Sequence, residues 1–304
     1  MNTTATSSPV ICHPSSVRDF ITLLKPGVMS LVVFTGLAGM LLPLISGIGH
    51  INLFQQLITL LCIALGSGAG AAMNMWYDRD IDAVMNRTRN RPVPAGRIAP
   101  DDALAFGLFL SALSVMLMGL ALNWVAAFLL AFAIFFYVAI YTMWLKRSTP
   151  QNIVIGGAAG AFPPMIGWAA VTGDITLHSL LLFMIIFLWT PPHFWALALY
   201  KNADYTKAGI PMMPVVAGAK STKLQMLFYT YILTLCTLLL PVFGMAGGLY
   251  TVCAVVLDAA FLYYVHKVLT DSSDKWSRKT FMFSIVYLFA LFTIMVVDSI
   301  FLYY

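Results

Sequence analysis

The stretch VMSLVVFTGLAGMLLPLISGI, residues 28–48, carries no charged side chain and is long enough to cross a lipid bilayer as one helix. A helix needs about 20 mainly apolar residues to span the hydrocarbon core. Eight further apolar runs follow it, at residues 53–76, 103–121, 124–144, 152–171, 175–200, 224–243, 246–266 and 281–302. Transmembrane β-barrels instead show alternating segments of about ten residues. The pattern therefore predicts an all-α polytopic membrane protein with nine transmembrane helices.

The composition of the 304-residue chain agrees with this fold class. Hydrophobic residues make up 61% of the chain and charged residues only 10%, whereas soluble domains contain about 25% charged residues. So few charges cannot cover the surface of a soluble protein, which excludes a soluble globule, a disordered chain and a secreted disulfide scaffold. The net charge of +5 is typical of the loops of a membrane protein and does not indicate a nucleic-acid partner.

The positions of the basic residues predict the orientation of the chain. All 17 lysines and arginines precede the first apolar run or lie in every second loop after it, and the other loops and the C-terminal end contain none. Basic residues are concentrated in cytoplasmic loops. We therefore expect a cytoplasmic N-terminal tail over residues 1–27 and a nine-helix domain over residues 28–304. The two longest loops, 77–102 and 201–223, are then cytoplasmic, and we expect the chemistry there.

The first long loop begins with a motif of polar side chains. Asn74, Asp78 and Asp82 are spaced i, i+4 and i+8, and each step of four residues advances only about 40° around a helix, so the three share one stripe. Carboxylates on one stripe repel each other unless a cation lies between them. Oxygen ligands of this kind suit Mg²⁺ together with a substrate phosphate. The alternative is a solvated helix end whose Asp and Arg side chains pair with each other.

Basic residues near this motif are candidates for binding phosphate oxygens, because guanidinium and ammonium groups form charge-assisted hydrogen bonds with them. The candidates are Lys25, Arg87, Arg91, Arg97 and Lys201. The second long loop has similar features four apolar runs later, with Tyr200 and Asp204 ahead of a proline-containing turn. This similarity indicates two four-helix units that face each other across a central cavity. Asp204 is therefore expected to lie across that cavity from the first motif.

Together, the two loops on nine apolar runs resemble the UbiA superfamily of intramembrane prenyltransferases. Residues 24–35, 74–97, 190–200 and 209–214 resemble the branch of that superfamily that farnesylates haem, and TPPHFW at 190–195 is the part that points to this branch. The resemblance implies transfer of a farnesyl group from farnesyl diphosphate to a vinyl group of haem B, which gives the hydroxyethylfarnesyl group of haem O.

The resemblance also implies roles for individual residues. Mg²⁺ would be the cofactor, and its expected ligands, which would also be the catalytic residues, are Asn74, Asp78, Asp82 and Asp204. Many relatives have Asp at the positions of Met75 and Tyr200, so the second metal position has fewer carboxylates here. Tyr200 and His193 would contact substrate, and one role open to His193 is that of a ligand to the haem iron. His193 follows two prolines inside the sixth run, and its alternative role is to bind a backbone carbonyl that the prolines free.

Two other functions stay open on the sequence alone. One is a UbiA-type prenyltransferase that acts on an aromatic acid, and the other is a membrane transporter. Transporters usually have charged or broken helices at the membrane midplane, whereas the charges of this chain are concentrated on one face. The resemblance further implies a multi-pass protein of the bacterial inner membrane, surrounded by lipid. The consumer of its product would be a haem A synthase or a terminal oxidase assembly.

Overall fold

The computed structural model describes residues 16–303, and within that range all regular structure is helical. Nine of the helical units there are long and apolar enough to cross a membrane. The predicted fold class, an all-α polytopic membrane protein, is thereby confirmed for the described part of the chain. Residues 1–15 of the expected N-terminal tail lie outside the described residues.

The first half of the bundle contains five of the membrane-spanning units. Its helices are α1 (Val17–Leu23), α2 (Pro26–Ile45), α3 (Leu53–Tyr77), α4 (Arg79–Val84), α5 (Pro100–Ala121), α6 (Trp124–Phe135), α7 (Lys146–Ser148), α8 (Asn152–Gly156) and α9 (Ala158–Thr172). A π-helical segment, Phe136–Leu145, joins α6 to α7 so that the three form one spanning unit. In the same way, α8 and α9 form the fifth unit.

The second half contains the other four spanning units. Its helices are α10 (Leu177–Tyr200), α11 (Asn202–Lys207), α12 (Met213–Val216), α13 (Gly218–Val242), α14 (Gly248–Thr270) and α15 (Lys275–Tyr303). Both α13 and α15 begin six residues before the apolar runs predicted at 224–243 and 281–302. Lysine and arginine are good helix formers, so these helices continue beyond the apolar length that hydropathy detects.

Part of the segment expected to be a tail is folded against the bundle. Ser16 and Asp19 form a capping box at the start of α1, in which each side chain binds the backbone N–H of the other. Leu23, at the end of α1, is fully buried in a cluster with Ala72 and Met75 of α3. This packing fixes the chain just before Lys25, the first of the predicted phosphate-binding residues.

The helices α2 and α9 cross at direct backbone contact. A Cβ atom on Gly39 would lie 2.1 Å from the carbonyl oxygen of Pro164, and one on Gly167 would lie 2.1 Å from that of Gly36. Small residues allow such close approach between membrane helices. α2 also contacts α3 and α15. These contacts fix α2 between the two halves of the bundle and bring Lys25, which precedes it, to the end where α3 terminates.

Candidate functional site

The Asn74–Asp82 motif lies where α3 passes into α4. α3 ends at Tyr77, but the backbone hydrogen bonds from Asp78 N to Asn74 O (2.9 Å) and from Asp82 N to Asp78 O (2.8 Å) continue the helical pattern. The three side chains therefore remain on one stripe, and all three residues are at most 3% exposed. The side chain of Asp80 is 62% exposed and pairs with Arg147 at 2.7 Å, and this hydrogen-bonded pair lowers the pKa of Asp80 to about 2.

Asp78 is surrounded by polar partners although it is fully buried. Lys146 Nζ forms an ion pair with Asp78 Oδ2, and Asn74 Nδ2 donates to the same oxygen at 2.7 Å. Asp78 Oδ1 has no hydrogen-bond partner in the described part of the chain, and Arg147 Nη2 lies 3.6 Å from it. A buried oxygen without a hydrogen bond is costly. This oxygen is therefore available to a cation.

Asn74 is held in a single orientation by three neighbours. Lys25 Nζ donates to Asn74 Oδ1 at 2.7 Å, and Asn74 Nδ2 donates to Thr142 Oγ1 at 3.1 Å as well as to Asp78. The hydroxyl of Thr142 in turn donates to the carbonyl oxygen of Tyr137 at 2.8 Å. The carboxylate motif of α3 is thus linked both to the start of α2 and to the π-helical segment.

Lys25 occupies an unusual position for a lysine. Its backbone is left-handed, with φ of 50°, which is uncommon for residues other than glycine. Burial lowers the pKa of the Lys25 ammonium to about 7, and the neighbouring cations Arg91 and Lys146 act in the same direction. Such a group gains from any additional anion in its surroundings.

Asp82 pairs with a second cation. Arg91 Nη1 lies 2.6 Å from Asp82 Oδ2, and Thr88 Oγ1 donates to Asp82 O at 3.0 Å, which closes the loop over the motif. Arg91, Lys25 and Met75 line a cavity of about 320 Å³ beside the motif, and this cavity is wide open to the surface. We call Asn74, Asp78 and Asp82 with Lys25, Arg91 and Lys146 the carboxylate site. The sequence also allowed a helix end whose Asp and basic side chains pair with each other. Such pairs are present in the carboxylate site.

Lys146, Arg147 and Thr142 were not predicted from the sequence to belong to this site, because the two basic residues indicated only the orientation of the chain. The π-helical segment accounts for their placement, because its wider turns change which side chains face α3. The available signal was that Lys146 and Arg147 are the only basic residues between the fourth and fifth apolar runs. π-helical segments are frequent at functional sites.

Asp204 occupies a separate position on α11. Asn86 Nδ2 lies 3.4 Å from Asp204 Oδ1, and this contact connects the two long loops. Within residues 16–303, no three His, Cys or Asp side chains lie close enough together to hold a metal ion. The carboxylates of the two loops are therefore not joined into one cluster, and Asp204 as a metal ligand stays a prediction.

Two of the predicted phosphate-binding arginines lie outside the carboxylate site. Arg97 Nε donates to Asp19 at 2.8 Å and Arg97 Nη2 to the carbonyl oxygen of Asn90 at 2.9 Å, so this residue ties the first loop to α1. Arg87 is exposed near Tyr205 of the second loop. Burial raises the pKa of Tyr205, and the positive charge of Arg87 partly opposes that shift.

Tyr200 and Lys201 lie together at the end of α10. Lys201 Nζ is 5.9 Å from the centre of the Tyr200 ring, and the guanidinium of Arg278 in α15 is 5.3 Å from it. The other neighbour of this ring is Phe281, with 6.1 Å between ring centres. These contacts give a basic end to the interface between α10 and α15, which we call the seam. Arg278 was not among the site residues predicted from the sequence.

His193 lies in the interior of the same seam and is 7% exposed. Its ring stacks between Trp189 and Phe281, with centres 4.2 and 4.6 Å away. His193 Nδ1 lies 2.6 Å from Ser284 Oγ of α15. Among the described residues the partner of His193 is thus a side chain of another helix and not a carbonyl freed by the prolines.

A membrane bundle with buried carboxylates and cations at one end can bind a metal ion and a diphosphate, as an intramembrane prenyltransferase must. Residues 32–290 match the model of the UbiA prenyltransferase family, and the chain belongs to that family. It is accordingly a multi-pass membrane protein.

Curated relatives are similar to the chain over nearly its whole length. A protoheme IX farnesyltransferase from Brucella ovis is 57% identical over 300 residues, which cover 97% of this chain and 95% of the relative. Another, from Agrobacterium fabrum, is 58% identical over 289 residues, which cover 93% of this chain and 90% of the relative.

Solved structures share the fold at lower identity. A digeranylgeranylglyceryl phosphate synthase has a TM-score of 0.76 at 18% identity, with 93% of this chain and 98% of that chain covered. A UbiA homologue from Archaeoglobus fulgidus bound to DMAPP and Mg²⁺ has a TM-score of 0.63 at 18% identity, with 90% and 99% covered. These similarities confirm the fold.

Proposed function

We propose that the protein transfers a farnesyl group from farnesyl diphosphate to a vinyl group of haem B. Diphosphate leaves, and water adds to the resulting cation to supply the hydroxyl group and loses a proton, which gives haem O. The observation that carries the proposal is the 57% identity to a protoheme IX farnesyltransferase across 97% of the chain. That span includes both the carboxylate site and the seam between α10 and α15. The product would pass to a haem A synthase or a terminal oxidase assembly.

The cations of the carboxylate site are suited to the diphosphate of the donor. Lys25 and Arg91 line the adjacent cavity, so a diphosphate there would contact an ammonium and a guanidinium group with charge-assisted hydrogen bonds. Lys146 forms an ion pair with Asp78 and balances that carboxylate. Cations placed where negative charge develops on the leaving group lower the barrier of the reaction.

We further propose that the carboxylate site holds Mg²⁺. Asp78 and Asp82 would provide the charged ligands, and Asn74 and Asp204 are the other candidate ligands. The donor set contains only hard oxygen atoms, as Mg²⁺ prefers. Asp78 Oδ1, which accepts no hydrogen bond in the described part of the chain, offers one of them without loss of a hydrogen bond. When bound, the metal neutralises the charge that develops on the diphosphate.

The membrane location and orientation are also part of the proposal. We infer a cytoplasmic N-terminus and a carboxylate site that faces the cytoplasm, because all lysines and arginines precede the first apolar run or lie between apolar runs in every second interval. The membrane is inferred to be a bacterial inner membrane from the resemblance to the haem-farnesylating branch. Reporter fusions test this orientation. Fusions expected outside follow Gly49, Leu122 and Thr172, and those expected inside follow Arg89, Thr206 and Ser273. A long loop that reports the outer side would overturn it.

The reaction is tested with membranes that contain the full chain, incubated with haem B, farnesyl diphosphate and Mg²⁺. Mass analysis of the extracted porphyrin should show the hydroxyethylfarnesyl product, and Asp78→Asn membranes provide the matched control. An aromatic acid such as 4-hydroxybenzoate is offered in a parallel incubation. Prenylation of the aromatic acid with unchanged haem B would overturn the proposal in favour of an aromatic-acid prenyltransferase.

A further inference from the structure

Hydrogen bonds on α15 favour one tautomer of the His193 ring. Ser284 Oγ lies 2.7 Å from the carbonyl oxygen of Phe281 and donates its only proton to it. Because that proton is used, Ser284 Oγ acts as the acceptor for His193 Nδ1 at 2.6 Å. This arrangement favours the neutral tautomer that has its proton on Nδ1 and a lone pair on Nε2.

Nε2 of His193 has no hydrogen-bond partner within the described range, although the residue is only 7% exposed. The stacked rings of Trp189 and Phe281 cover both faces of the imidazole and keep it from turning. The lone pair lies in the plane of the ring, so stacking on the faces does not block it. Nε2 is also not among the fully buried side-chain atoms that lack a hydrogen bond in the described range, so a ligand can reach its lone pair.

We infer that His193 Nε2 coordinates the iron of the haem substrate and that Ser284 is a positioning residue that holds His193 in the required tautomer. This inference rests on the proposed function, which brings haem to the protein. Imidazole nitrogen is a common axial ligand of haem iron. Histidines that bind metals almost always donate their other N–H to a second group, and Ser284 Oγ is that group here.

The backbone holds Ser284 in place for this role. Trp189 Nε1 donates to the carbonyl oxygen of Ser284 at 2.8 Å, so α10 contacts α15 through two side chains one helical turn apart. The Trp189–Ser284 bond leaves the hydroxyl of Ser284 free to serve His193. Loss of that hydroxyl would remove the acceptor while leaving this second contact between the helices intact.

The basic end of the seam matches the remainder of a haem molecule. Lys201 and Arg278 both approach the Tyr200 ring, which lies seven residues from His193 along α10, or roughly 10 Å at 1.5 Å per residue. Two cations at that end are complementary to the two propionates of haem. The Phe281 ring lies between His193 and Tyr200 and offers an apolar contact.

The test uses the full chain in detergent, loaded with haem B without farnesyl diphosphate. Resonance Raman spectra of the ferrous complex should show an iron–histidine stretching band that is absent in His193→Ala. Ser284→Ala should shift or weaken this band and lower haem affinity about 10-fold, as loss of an outer-shell partner does. Ser284→Thr keeps the hydroxyl and should therefore show the iron–histidine band and the haem affinity of the wild type. Ser299→Ala is the matched control, because Ser299 is a buried serine of α15 whose hydroxyl binds a backbone carbonyl.

Added imidazole should restore the band in His193→Gly, which keeps the test decisive if His193→Ala folds poorly. An unchanged band in the His193 variants overturns the coordination. Wild-type spectra and affinity in Ser284→Ala overturn the positioning role. Mass analysis of the same preparations with farnesyl diphosphate distinguishes failure of the iron coordination from failure of the proposed function. If the wild-type protein farnesylates haem but shows no iron–histidine band, only the coordination is refuted. If the wild-type protein never farnesylates haem, the proposed function is refuted.

Discussion

Replacement of Lys146 by Met should destabilise the protein through Asp78. Asp78 is fully buried, and its ion-pair partner Lys146 is only 16% exposed. Removal of one partner from a buried ion pair costs about 3–5 kcal/mol, because the other charge stays buried without compensation. Asp78 would keep the Asn74 amide at 2.7 Å and Arg147 at 3.6 Å, so we expect the lower end, about 3 kcal/mol.

A second substitution and a metal titration test the cause of that loss. Asp78→Asn in the Lys146→Met background removes the uncompensated charge and should recover about 2 kcal/mol, within the range of coupling energies between contacting residues. Mg²⁺ at about 100 times its dissociation constant stabilises a protein by about 2.7 kcal/mol. It should stabilise Lys146→Met more than the wild type, in which the lysine occupies Asp78 Oδ2.

The measurement is the free energy of unfolding of the purified chain in detergent, with and without Mg²⁺. Lys207→Met is the matched control, since Lys207 is exposed on α11, and its stability should stay within about 0.5 kcal/mol of the wild type. The reasoning is refuted if Lys146→Met is as stable as the wild type, or if the double variant is no more stable than Lys146→Met.

Asp82→Ala should nearly abolish farnesyl transfer while haem B still binds, whereas Asp80→Ala should be much milder because its side chain is 62% exposed; equal losses of turnover would contradict the one-stripe geometry. Gly39→Ala should lower the free energy of unfolding by about 1–3 kcal/mol, because its Cβ would lie 2.1 Å from a backbone oxygen of α9. Gly160→Ala is the control: its Cβ would meet nothing within 4 Å, so this variant should be neutral or slightly stabilising in thermal unfolding. Chelation of divalent cations should stop turnover, and Mg²⁺ should restore it; full turnover with excess chelator would exclude the metal.

The spanning helices could be predicted because each must bury about 20 residues in hydrocarbon. The run predicted at 53–76 corresponds to Leu53–Tyr77, and that at 152–171 to Asn152–Thr172. Hydropathy reports only the part of a helix that lies in lipid, which is why the charged first turns of α13 and α15 were missed. The π-helical segment could not be predicted either, because an apolar run gives no signal that distinguishes wider turns.

The Asn74–Asp82 stripe could be predicted because it depends only on local helix geometry. Its partners could not, since Lys25 lies 49 residues from Asn74 and Lys146 lies 68 residues from Asp78 along the chain. These contacts require the crossing of α2 and α9 and the wider turns of the fourth spanning unit. From its charge alone, Arg97 was as good a candidate for phosphate binding as Arg91. In the folded chain, however, Arg97 forms an ion pair with Asp19.

Ion pairing and metal binding were alternatives when only the sequence was considered, but the carboxylate site makes them compatible. Buried carboxylates that stay charged are paired with a cation, and Lys146 and Arg91 provide it for Asp78 and Asp82. A divalent metal that binds these oxygens would release the two basic side chains from their partners. The released charges would then be close to the diphosphate that arrives with the metal, so the same cations can stabilise the site without substrate and bind the substrate when it is present.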